Sequence, residues 1–178
     1  MAAVWPVFQS QLVQYLKKKK AKKDDETAEK IGNLYHKAVK TAMPLLVPGA
    51  LPMAGSAAPV INGFKASFKL GRKLKGKKPT PAIWAPAASG IVLYWTGKTF
   101  QPAIPAPGGV PPATTHITTF PGAPPAAQIY AAMKGKTPEA VAAGLVGAFT
   151  THLASVSGLW TGFTPVGAPL PFPWVGIA

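Results

Sequence analysis

Five carboxylates and three histidines are the whole stock of side chains with which this sequence could run acid–base or metal chemistry. Cysteine is absent, which removes thiolate nucleophiles, disulfides and cysteine-ligated zinc. Two carboxylates facing each other across a cleft could act as general acid and base. Four of the five acids, however, are Asp24, Asp25, Glu26 and Glu29, beside a lysine run, where charge balance and the helix dipole account for them. His36, His116 and His152 have no carboxylate at ligand spacing, and they are read as surface or half-buried side chains. Ser89, Ser155 and Ser157 stand in no Gly-x-Ser-x-Gly frame. The glycine-containing run 71–78 lacks the Lys-Ser or Lys-Thr that closes a phosphate loop. The reading is a protein that is not an enzyme, with no cofactor, no metal and no small-molecule substrate.

The abundant chemistry is positive charge. The 178 residues carry 19 Lys and Arg against five acids, a net charge of +14. Residues 1–78 hold 16 of those bases and four of the acids, so the front of the chain is basic and the back is close to neutral. Two clusters stand out, Lys17, Lys18, Lys19, Lys20, Lys22 and Lys23, and then Arg72, Lys73, Lys75, Lys77 and Lys78. Such clusters can neutralise phosphates and give salt-dependent, sequence-independent affinity for nucleic acid. Against that, arginine is almost missing from them and few aromatics are interleaved for base stacking. A lysine face also keeps a sticky protein soluble before it assembles.

These groups must be positioned by helices. Trp5-Pro6 suits the first turn of a helix, and Phe8, Leu12 and Leu16 follow at spacing four on one face. A second helix begins at the acids and buries Ile31, Leu34, Tyr35, Ala38 and Val39, ending by Pro44. A third runs from about Pro59 to a glycine cap at Gly71. A fourth follows Pro86 and is capped at Gly97. Thr137 is a good cap for a last helix, with Pro138 at its first position and Glu139 where the dipole favours an acid. Its apolar pattern, Val141, Leu145, Phe149 and Leu153, is expected to stop at Gly162. The apolar run 140–156 is too short and too interrupted for a membrane span, and no secretory leader is expected.

Between the helices the chain is rich in Pro and Gly, 21 and 18 residues. Residues 43–59 and 100–125 read as extended or turn, with Thr114 to Phe120 the best candidate for a strand. The phrase Trp-Thr-Gly occurs at 95–97 and again at 160–162, and both copies are read as helix stops that launch proline-rich segments. The second copy opens the apolar terminus from Phe163 to Ile177. Aromatics on low-entropy extended backbone bury much area at little ordering cost, so Trp160, Phe163, Phe172, Trp174 and Ile177 are the candidate anchors on a neighbouring subunit.

The Trp-Pro opening helix, the two-helix front, the Trp-Thr-Gly turns and the Pro-Phe-Pro-Trp tail resemble small structural proteins of tailed bacteriophages, the T4-like marine type in particular. That resemblance implies a virion component of head, neck, tail or baseplate, present in the host cytoplasm before assembly. Its partners would be other virion subunits in a symmetric assembly. The fold expected is mainly α, with small helical domains, long extended Pro-rich arms and little β. Residues 1–78 would form a basic helical domain and 79–178 a helix-plus-arm region. The alternative function is a basic nucleic-acid-associated protein that holds phosphates through its lysine clusters.

Overall fold

The chain is mainly α. The computed structural model describes residues 5–18, 23–40, 42, 51–52, 55–74, 78–96, 99–101, 116–120, 122, 124–163 and 165–177. Six helices lie among them: α1 (Trp5–Lys17), α2 (Asp24–Val39), α3 (Ala58–Lys73), α4 (Ala85–Trp95), α5 (Ala126–Met133) and α6 (Pro138–Ser155). A 3-10 turn, Pro81–Trp84, leads into α4.

The start signals act where the sequence places them. Pro6 sits in the first turn of α1, and the three acids occupy the first turn of α2. The Thr137 hydroxyl accepts from Ala140 N at 3.2 Å and caps α6. The start of α4 is capped from outside the helix, since the buried Ser67 hydroxyl on α3 accepts from Ala87 N at 3.0 Å. Two stops differ from expectation. Gly71 lies inside α3, which runs on to Lys73. Helix α6 ends at Ser155, and the second Trp-Thr-Gly is in a strand.

Among the described residues five antiparallel strands form a sheet in sequence order: β1 (Leu51–Pro52), β2 (Thr99–Gln101), β3 (His116–Phe120), β4 (Ser157–Phe163) and β5 (Pro169–Val175). The proline-rich terminus is therefore extended, as its composition requires, but it pairs with its own chain. Strand β5 lies against β4 with Gly158 opposite Trp174 and Leu159 opposite Pro173. Pro169, Pro171 and Pro173 have no N–H to give, so the ladder uses the amides of Leu170, Phe172 and Trp174. All three prolines turn their missing donor to the open edge. Gly167, at φ 82°, completes the turn between the two strands.

The helices and the terminus share one core. Trp5, Phe8, Tyr35 and Phe149 meet as an aromatic cluster, with Tyr35 edge-on to Phe149 at 4.9 Å between ring centroids and Phe8 edge-on to it at 5.6 Å. Tyr94 and Trp95 extend it from α4. A second cluster joins Phe64 and Phe68 of α3 to Trp84. Contacts between α1 and α6 and between α3 and α4 cross the composition boundary near residue 78, which is a change in charge and not in packing.

Candidate functional site

Three short ties gather the helix ends. Lys17 at the end of α1 meets Glu139 at the start of α6 at 2.6 Å. Arg72 near the end of α3 meets Asp24 at the start of α2 at 2.8 Å. The Tyr130 hydroxyl of α5 donates to the Pro79 carbonyl at 2.8 Å. Residues 17–18, 23–24, 72–74, 78–80 and 134–139 therefore lie at one end of the bundle, and they include the described members of both lysine clusters. The sheet follows the opposite ends, since β4 begins directly after α6 and β2 soon after α4.

Lys17, Lys18, Lys23, Arg72, Lys73 and Lys78 are all exposed at this lysine end; Lys19, Lys20, Lys22, Lys75 and Lys77 lie outside the described residues. Two bases that sequence reasoning passed over join them, Lys134 and Lys136, both exposed in the turn between α5 and α6. Lys134 lies over the Tyr130 ring at 4.7 Å. The signal that could have found them is their place just before the capping Thr137, one helix end from Lys17.

Two of the four acids here, Glu139 and Asp24, are held by bases. The Lys17 ammonium, hydrogen-bonded to Glu139, keeps that carboxyl below its ordinary range. On the flank Lys65 donates to Glu29 at 2.6 Å, and this bond raises the lysine above its ordinary range. These pairs are largely solvated, so water and salt screen them and they add little to stability. Their effect is on charge, because they neutralise acids that would otherwise repel an anion. An open groove of about 630 Å³ runs past Asp25, Lys65, Lys69, Arg72 and Lys73.

The candidate anchors of the terminus are divided by the strand. Trp174 and Ile177 are buried in the chain's own core, 1% and 5% exposed, and are not free to anchor a neighbour. Pairing with β4 turns the Trp174 side chain inward. Beyond it, Gly176 N donates to Val156 O at 2.8 Å and Ile177 N to Leu153 O at 3.1 Å, pinning the end. The side chains of Trp160, Phe163 and Phe172 lie outside the described part. What the hairpin does expose is the other face of β5, Pro169, Pro171, Pro173 and Val175, the last 60% exposed, with Val166 at the turn 89% exposed. Sequence reasoning missed this face, although the alternate prolines at 169, 171 and 173 announce it.

Two of the three histidines pack within the helices. His36 is half-buried and its Nδ1 is 2.9 Å from the Tyr94 hydroxyl. His152 is buried in α6, and the side chain of His116 lies outside the described part. Among the described residues no three His, Asp or Glu side chains gather as metal ligands, and no helix is long and apolar enough to cross a membrane. No protein family, curated protein or solved structure matches the chain.

Proposed function

We propose that this protein is a structural assembly subunit of a bacteriophage virion, in its head, neck, tail or baseplate, and that it docks on a neighbouring subunit through the outer face of its terminal hairpin. The observation that carries this reading is the exposed apolar row Pro169, Pro171, Pro173 and Val175 on a strand that is paired and pinned. A rigid apolar row loses little conformational entropy when it is covered, so burial there converts efficiently into affinity. The row lies at the end of the bundle remote from the lysines, where a neighbour's approach meets little charge. The resemblance to tailed-phage proteins supplies the setting.

The test is incorporation. Mass spectrometry of particles purified from infected host cells is expected to find the chain, and a chain carrying Pro171→Glu and Val175→Glu is expected to be left out of them. Both substituted positions are exposed, so the helical circular dichroism should not change. Absence of the unaltered chain from purified particles refutes the reading, as does full incorporation of the doubly substituted one.

A further inference from the structure

We infer that the lysine end is a docking surface for the phosphate backbone of a nucleic-acid duplex, indifferent to base sequence. The described residues of 17–26, 69–78 and 134–139 hold nine Lys and Arg against four acids. The sequence scatters these segments over more than a hundred residues. The fold brings their described residues to one end through the Lys17–Glu139 and Arg72–Asp24 pairs. Two of the four acids are thereby neutralised inside the site.

The composition of the surface selects the ligand. Lysine offers a point charge that suits a phosphate oxygen, and the one forked donor at the site, Arg72, is engaged by Asp24, which leaves little to read guanine edges. No aromatic side chain is exposed among the described residues, so stacking on unpaired bases has no platform here, and a duplex is favoured over a single strand. An anionic membrane would call for apolar side chains that insert beside the lysines. The large apolar side chains exposed among the described residues are Val7, Leu70, Leu93, Val166 and Val175, and only Leu70 belongs to the lysine end. The groove past Lys65, Lys69, Arg72 and Lys73 gives the backbone a track along α3.

This inference stands apart from the assembly reading, because incorporation tests the hairpin and the following experiment tests only the lysines. Fluorescence polarisation of the full chain is measured with a labelled duplex in two unrelated sequences, from about 50 to 200 mM salt. Equal affinity for both sequences is expected, with log K falling against log salt at a slope of about −4 or steeper, at about 0.9 per phosphate. The variant Lys23→Gln/Lys73→Gln/Lys78→Gln/Lys136→Gln is expected to flatten that slope by about three to four, roughly one for each lysine removed. Lys37→Gln/Lys40→Gln, at the far end of α2, removes charge from exposed positions outside the site and is expected to change the slope by less than about one. No binding at the lowest salt overturns the inference. So does an equal loss per lysine in the far-end variant, or binding to phosphatidylserine vesicles without binding to the duplex.

Discussion

The Trp95 indole N–H donates to the Tyr35 hydroxyl at 2.7 Å, a buried bond between residues sixty apart that ties the end of α4 to α2. Both side chains lie in the aromatic core. Tyr35→Phe keeps the ring contacts and takes away the acceptor, and a buried donor stripped of its partner costs about 1–3 kcal/mol. Urea unfolding should show that loss. The Tyr35→Phe/Trp95→Phe pair should cost less than the two single variants added together, because the second substitution removes the donor that the first one orphans.

Burial also sets the alkaline limit. It pushes the Tyr94 hydroxyl up to about 12, and Tyr35 further, where burial outweighs the Trp95 hydrogen bond. An unfolded tyrosine ionises near pH 10. The folded tyrosines stay protonated above that, so between pH 10 and 12 the unfolded state binds fewer protons and is favoured as pH rises. The stabilisation is complete below pH 10 and declines through pH 12. Thermal midpoints taken from pH 9 to 12 should fall across that window, and more shallowly in Tyr94→Phe. Equal slopes in the two proteins would contradict the assignment.

Helices α3 and α4 cross at two glycines. A Cβ on Gly63 would lie 2.5 Å from the Pro86 carbonyl oxygen, and one on Gly90 would lie 3.2 Å from Gly63 Cα and against the Pro59 carbonyl. These are backbone atoms that cannot swing aside, so Gly63→Ala and Gly90→Ala should each destabilise by about 1–3 kcal/mol. Gly147 in α6 faces open space. There alanine removes the entropy cost of a helical glycine, and Gly147→Ala should stabilise by about 0.5–1 kcal/mol. The denaturant midpoint of each variant separates the two cases by sign.

The terminus gives a matched pair. Trp174 is buried and Val175, its neighbour in β5, is exposed. Trp174→Ala should cost about 3–5 kcal/mol, while Val175→Ser should stay within about 0.5 kcal/mol. A Trp174→Ala protein as stable as the original would mean that the hairpin does not belong to the core.

What the sequence made legible is what is encoded locally. Trp5-Pro6, the acids at 24–26 and Thr137-Pro138-Glu139 each sit within a turn of the helix start they specify, and those starts are where they were expected. Of the strand expected at 114–120, residues 116–120 are observed as β3, and 114–115 lie outside the described residues. Features that depend on distant partners were hidden. Nothing near residues 160–162 shows that the second Trp-Thr-Gly will find Pro171 and Phe172 opposite it, so a phrase that ends α4 at Trp95 could not be told from one inside β4. Helix α5 was missed because Ala126–Met133 is short and follows two prolines. Both lysine clusters were plain as charge, but their meeting depends on Arg72 reaching Asp24 across the bundle.

The alternate prolines of β5 have a further consequence for any neighbour. A chain laid alongside the open edge would be met by no amide at positions 169, 171 and 173, so every second rung of a continuing ladder would be missing. At that edge the sheet is a terminus and cannot act as a template. A partner must therefore seat itself flat on the hairpin, where shape and apolar area decide the fit, and the terminal strand can be touched without being lengthened.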